Sequence, residues 1–287
     1  MTTPFGTFGS LCRMVKIEHS IFALPYAWAG IFLAAKGLPP LEPFLFLTLA
    51  MVGVRSFAMA VNRLVDLPYD RVNERTQKRP LVTGDITVNQ TIWFCVFMAL
   101  VFIGSCAFLN SLCFALSFPA LLVAAFYSYL KRFTPLCHFW LGGTLGLAPL
   151  AGWLSISPNT ITLAPILLFL AVLFWVAAFD IYYAFQDTDF DKSYGLHSAP
   201  VDYGEKTALA IAGFSHIMTA IFLFLAGIDV HLSFWWYVVC ALIAILLFIE
   251  HRLMLPKDLK NIDMAFFTLN GIISPVMFFG ILLGIFC

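Results

Sequence analysis

A chain of 287 residues that is 61% apolar and 11% charged, with a mean hydropathy of +0.92, cannot be a water-soluble domain. Its 16 basic and 16 acidic residues cancel, so it lacks the net cationic charge expected of a nucleic-acid binder, and no such partner is expected. Repeated apolar runs of 18 residues or more describe an all-α membrane protein, because a helix satisfies its own backbone while crossing about 30 Å of lipid.

Nine transmembrane helices are predicted, over 15–37, 41–65, 89–108, 111–130, 135–156, 160–186, 207–227, 232–252 and 264–286. Arg13 and Lys16 precede a run of full spanning length, so the first span reads as structural rather than as a cleaved signal. Arg13, Lys16, Arg71, Arg75, Lys78, Arg79, Lys131, Arg132, Lys192, Lys206, Arg252, Lys257 and Lys260 all fall on one side of nine alternating spans, with Lys36 opposite. By the positive-inside rule the N-terminus and the loops after spans 2, 4, 6 and 8 are cytoplasmic, which implies a multi-pass protein of the cytoplasmic membrane. The seven cysteines show no C-x-x-C spacing, and the six histidines form no H-E-x-x-H, so neither a disulfide framework nor a zinc site is indicated.

One polar pattern occurs twice. Asn62, Asp66 and Asp70 end the second span in NRLVDLPYD, and Tyr183, Asp187 and Asp191 end the sixth in YAFQDTDFD. Residues three or four apart share a helix face, so Asn62 and Asp66 point together, as do Asp180, Tyr183 and Asp187. A carboxylate facing lipid near mid-membrane costs about 2.5–3.5 kcal/mol even on a lenient scale. Both faces must therefore line a central cavity between spans 2 and 6, open to the cytoplasm. Two longer loops, 66–88 and 187–206, are placed to cap it. Pro68 is expected to end or kink the helix near Leu67, which would push Asp70 toward a loop and leave Asp66 the better fixed. Arg55, two turns before Asn62 and costly in lipid if unpaired, is expected to pair with an acid such as Asp180 or to contact substrate. Small residues at Gly142, Gly143 and Gly146 are expected to allow close helix packing.

Four carboxylates at one site call for a multivalent cation, and Mg²⁺ held by carboxylates and bridged to phosphates meets that demand. Basic residues can grip a diphosphate, and the greasy surround suits a lipid tail, so an allylic isoprenoid diphosphate fits all three features. The rival reading, a cation- or proton-coupled transporter, predicts acids near mid-membrane and on both faces. Here the two motifs sit at one face, with Glu42 and Asp229 opposite.

The chain resembles the UbiA family of intramembrane prenyltransferases across its length 1–287 as a single domain. The resemblance is carried by NRLVDLPYD and YYAFQDTDFD, with RSFAMAVN, RTQKRPLVTG and YSYLKRFTPLCHFWLG in the expected order. It implies that Asn62, Asp66, Asp70, Asp187 and Asp191 hold two Mg²⁺ ions and the diphosphate, and that Arg79, Lys131 and Arg132 clamp the phosphates. Tyr183 would donate to the pyrophosphate, and Asp180 would pair with Arg55 or orient the acceptor phenol. The reaction implied is transfer of a polyprenyl group from its diphosphate to an aromatic acid such as 4-hydroxybenzoate, in ubiquinone or menaquinone synthesis. Two departures stand out. Arg63 occupies a position where the commonest motif has Asp, and His197 stands where relatives have Lys; with an unperturbed pKa of about 6.5, His197 is a weaker cation there. KIEHSIFALPYAWAG and NRLVD are more similar to relatives acting in menaquinone synthesis through the futalosine route, and acceptors of the haem or tocopherol type stay open.

Overall fold

A computed structural model describes residues 4–16, 20–255 and 268–287. Among these the chain is all-helical. A short α1 (Pro4–Val15) and α2 (Ser20–Ala35) lead into α3 (Leu41–Asp70), followed by the short α4 (Pro80–Thr83) and then α5 (Val88–Leu109), α6 (Ser111–Leu130) and α7 (Cys137–Ile156). After α8 (Leu163–Ala184), a 3-10 turn (Phe185–Asp187) runs into α9 (Thr188–Ser193) and α10 (Ala199–Tyr203). The chain closes with α11 (Glu205–Asp229), α12 (Phe234–Met254) and α13 (Asn270–Phe286). Among the described residues seven helices are long and apolar enough to cross a membrane, while α2 and α13 are shorter apolar helices. The expected ninth span begins at 264, and residues 264–267 lie outside the described residues, as do Lys257, Lys260 and positions 17–19.

Helix ends follow local chemistry. Thr87 and Gln90 close a reciprocal capping box on α5. Asn110 caps α6 by accepting from the Cys113 amide, while its Nδ2 donates to the Leu154 carbonyl at 2.9 Å and so ties α6 to α7. Asp229, at the end of α11, accepts from the Ala164 amide at 2.8 Å at the start of α8, where an acid suits the unpaired N–H groups.

The helices form two arcs. On one side α3 pairs with α5 and packs on α6, which returns to α7. On the other, α8, α11, α12 and α13 follow in turn, and α13 closes on α2, which lies across α7. Gly30 and Gly152 permit the close α2–α7 approach, since a Cβ at either would strike the partner backbone. Gly142 and Gly146 do the same for α7 against α8, whereas Gly143 has ordinary clearance. The arc of α8 is sealed by buried Trp175 and Trp236, whose indole N–H groups donate to Asn270 at 2.7 Å and to the Leu223 carbonyl at 3.1 Å.

The two motif-bearing helices, α3 and α8, barely touch each other. The space between them is the site.

Pro68 does not end α3, which runs on to Asp70. Proline removes one backbone donor, but the Arg71 amide again bonds the Leu67 carbonyl at 3.3 Å, and Thr76 Oγ1 donates to the Asp70 carbonyl at 3.0 Å. Tertiary contacts beyond the helix thus override the local break. The second motif is likewise helical rather than loop: Asp187 ends the 3-10 turn and Asp191 lies in α9.

Candidate active site

A polar cavity of about 280 Å³ opens between α3, the α6–α7 junction and α8, lined in part by Asn62, Asp66, Lys131, Asp180, Asp187 and Asp191. An apolar cavity of about 260 Å³ adjoins it, lined by Met51, Val54, Ala124, Leu145, Ala148 and Phe179 among others. Arg55, Met59, Asn62, Tyr127 and Leu141 belong to both walls, so charge and grease meet along one seam.

On α3 the i, i+4 geometry brings Asn62 Nδ2 to Asp66 Oδ2 at 2.8 Å. Arg63 donates to Asn62 Oδ1 at 3.0 Å. The amide oxygen expected to bind metal thus accepts from a cation, while the amide nitrogen of Asn62 orients Asp66. Asp70 is buried, with Arg79 Nη1 at 2.6 Å from both carboxylate oxygens. Asp70, not Asp66, is therefore the firmly held member of the pair, because the loop after α3 returns an arginine to it.

The same loop reaches across to α8. Arg75 forms a bidentate ion pair with Asp187, its Nε at 3.0 Å from Oδ1, and its Nη1 donates to the Tyr183 hydroxyl at 2.7 Å. Asn73 adds a 3.1 Å bond to the same Asp187 oxygen. Burial would lower the Arg75 pKa, yet the hydrogen bonds and charge of Asp187 raise it overall. Lys131 lies 3.4 Å from Asp191. Burial opposes its charge as well, but Asp191, Asp66 and Asp187 together raise its pKa, which places this ammonium electrically between the two motifs.

Other expectations change. Arg55 donates to the Val15 carbonyl at 3.1 Å, while Asp180 pairs with His138 at 2.7 Å instead. Arg132 is absent from the cavity wall: it donates to the Val65 carbonyl at 2.7 Å and lies over the Tyr69 and Tyr129 rings, each 5.3 Å away. Adjacent residues at a helix end point apart, so only Lys131 of that pair faces the cavity. His197 does line it, with Nδ1 2.7 Å from Asp202 and its amide donating to the Lys131 carbonyl at 2.7 Å.

The chain matches the model of the UbiA prenyltransferase family over residues 23–272. It is 31% identical over 282 residues to a 4-hydroxybenzoate octaprenyltransferase of Alkalilimnicola ehrlichii, covering 97% of this chain and 94% of that one. The chain belongs to the UbiA prenyltransferase family. It is an enzyme, a prenyltransferase. Its fold is similar to that of a UbiA homologue from Aeropyrum pernix, at 32% identity and a TM-score of 0.85 over 93% of this chain and 98% of that one. A UbiA homologue from Archaeoglobus fulgidus, solved with GPP and Mg²⁺, shares the fold at 22% identity and a TM-score of 0.72, over 95% and 99% of the two chains.

In this UbiA-family site the donor set can be tested for a divalent ion. Asp66 Oδ1 and Asp191 Oδ1, one from each motif, are buried and lack hydrogen-bond partners, although Lys131 Nζ stands 3.4 Å from Asp191 Oδ1. Buried carboxylate oxygens on facing elements, with hydrogen-bonding capacity left open, suit a hard cation. Among the described residues, however, no three acids or histidines stand close enough to form a ready cage, because Arg79 and Arg75 hold Asp70 and Asp187. Of the four expected carboxylates, Asp66, Asp187 and Asp191 line the cavity, whereas Asp70 is absent from its wall and is held by Arg79, which does line it.

Arg75, Arg63 and His138 line the cavity without having been singled out as site residues from sequence. Arg75 is one of four cations within 71–79, and only the path of the loop separates it from Arg71 and Lys78. His138 sits alone in an apolar run, where sequence gives no partner.

Proposed function

We propose that this chain transfers a polyprenyl group from an allylic diphosphate to a hydroxylated aromatic acid such as 4-hydroxybenzoate, in quinone synthesis. The reading rests chiefly on the shared seam: a charged chamber sized for a head group opens directly into an apolar one suited to an isoprenoid tail. Relatives named 4-hydroxybenzoate octaprenyltransferase and the GPP- and Mg²⁺-bound homologue support it. All nine apolar helices would cross the cytoplasmic membrane in one domain over 1–287, with the N-terminus and the cavity mouth facing the cytoplasm.

Asp66 and Asp191, joined by Asp70 and Asp187, would hold Mg²⁺. When bound, the ion offsets the charge that grows on the departing pyrophosphate. The protein supplies the rest. Arg79, Arg75 and Lys131 are within the chamber wall and can bind phosphate oxygens, trading a carboxylate partner for a phosphate one, as guanidinium geometry allows. Tyr183 can donate its hydroxyl to the same group. Deeper by two helical turns, Arg55 can meet the acceptor's carboxylate. The segments 71–87 and 188–204 close the head-group end and would keep water from the allylic cation. The π-faces of Tyr127 and Phe179, both on the apolar wall, can stabilise that cation.

Purified protein given Mg²⁺, geranyl diphosphate and 4-hydroxybenzoate is expected to form prenylated acid, and Asp66→Asn and Asp187→Asn are expected to lose it. Undiminished turnover in both variants would remove the proposal.

A further inference from the structure

The polar chamber contains one carboxylate that the diphosphate reading leaves unused. Asp180 lies on α8 seven residues before Asp187, about 10 Å deeper along the helix axis. It lines the charged chamber next to Phe179, which lines the apolar one. A prenyl diphosphate bound with its head group at the acids and its tail in the apolar cavity, as proposed above, would bring its reacting carbon toward that depth.

Its geometry is determined by His138. The Ala199 backbone N–H, which can only donate, bonds His138 Nε2 at 3.1 Å. Nε2 must therefore be the unprotonated nitrogen, and Nδ1 carries the hydrogen that it donates to Asp180 Oδ2 at 2.7 Å. A doubly protonated ring would set two donors against each other at Ala199. His138 is only 3% exposed, so the imidazole is locked at both ends and has no free nitrogen for chemistry. Asp180 keeps its second oxygen, which has no hydrogen-bond partner among the described residues and belongs to a side chain 20% exposed to the cavity.

The geometry points to Asp180 as the base that takes the ring proton of the acceptor, with His138 as its positioning residue and Ala199, at the start of α10, as the brace. This inference rests on the prenyl transfer proposed above. The C–O bond of the allylic diphosphate breaks and its electrons leave on pyrophosphate. A ring π pair of the acceptor forms the new C–C bond ortho to the hydroxyl. Asp180 Oδ1 then accepts the proton from that ring carbon, and the C–H electrons restore aromaticity. The carboxylate becomes a carboxylic acid, still accepting from His138 through Oδ2. Because Ala199 follows the second motif, the segment 188–204 both covers the head group and fixes the base, so the base is in register only when that cover is seated.

The test uses the full-length protein in detergent with Mg²⁺, geranyl diphosphate and 4-hydroxybenzoate, unlabelled or deuterated on the ring. Asp180→Asn is expected to lower kcat for prenylated product by on the order of 10²–10⁴-fold, the usual reach of a general base. It should still bind geranyl diphosphate in a Mg²⁺-dependent way. His138→Ala is expected to lower kcat more than it raises the acceptor KM, and to show a larger ring-deuterium isotope effect than wild type. His138→Asn, whose amide can donate to Asp180 and accept from Ala199, should recover most of the lost rate. Asp180→Asn with wild-type kcat, or His138→Ala with wild-type kcat and an unchanged isotope effect, would overturn this inference alone. Wild-type protein that prenylates no aromatic acid would overturn it together with the function it rests on. If Asp180→Asn fails to fold, the His138 pair decides the matter.

Discussion

The two aspartate pairs have identical spacing and sit in unequal surroundings. The apolar stretch of α3 is 28% buried within the protein, whereas that of α8 and its extension is 61% buried, so α3 borders the bundle and α8 runs through its middle. The first pair accordingly receives its counter-ion from the next segment of chain, Arg79 folding back on Asp70. The second receives Arg75 and Asn73 from that same segment, across the cavity, and Lys131 from the α6 end. The loop after α3 therefore serves both halves, while the segment after α8 braces Lys131 through His197 and His138 through Ala199. A duplicated motif has been built into one asymmetric site, with one loop supplying charge and the other supplying position.

The sharpest way to break this comparison is to remove, on each side, the buried carboxylate oxygen that makes no hydrogen bond. Asp66→Asn and Asp191→Asn each take away the charge of such a carboxylate, which at Asp191 also faces Lys131 at 3.4 Å. Each is expected to cut Mg²⁺-dependent prenyl transfer by on the order of 10²-fold or more, the scale found when a group stabilising transition-state charge is lost. Equal losses would mean that the halves act as one site. A large loss in only one would mean that a single motif carries the metal.

A smaller effect is expected from the arginines, and here the halves should diverge. Arg79→Ala leaves buried Asp70 without its partner and should cost stability, by about 1–3 kcal/mol for an unsatisfied buried group, read as a lower melting temperature in detergent. Arg75 is 31% exposed, so water can replace it at Asp187 and stability should fall less. Its loss should appear instead as weaker diphosphate binding. Arg75→Lys should not restore that binding, since an ammonium cannot reproduce the fork that meets Asp187 and Tyr183 together.

What could be read in advance follows the same divide. Helical period alone places Asn62 beside Asp66, and the bond is there. Composition sets the helical class, and the repeated acids mark the ends of α3 and α8. Legibility stops where a contact depends on a path through space. Nothing local distinguishes Arg75 from its basic neighbours, and Pro68 gives a true local signal that Thr76 and Arg79 outweigh from a distance. His138 was invisible because its meaning lies in two partners 42 and 61 residues away. Lys131 and Arg132 are equivalent in sequence, and only the direction in which α6 ends separates them.

That last pair offers the mildest test. Lys131 is 34% exposed and faces three carboxylates, whereas Arg132 is spent on the Val65 carbonyl and two tyrosine rings. Lys131→Ala should therefore raise the KM for prenyl diphosphate about 10-fold, in line with losing one charge-assisted contact of about 1.5 kcal/mol. Arg132→Ala should leave that KM unchanged. It removes a tie between α6 and α3 and two cation–π contacts of about 0.5–1 kcal/mol each, so its effect belongs in the melting temperature. If Arg132→Ala instead weakened diphosphate binding as much as Lys131→Ala, then the phosphates would extend past the cavity wall toward Tyr69, and the head-group chamber would have to include the outer face of α3.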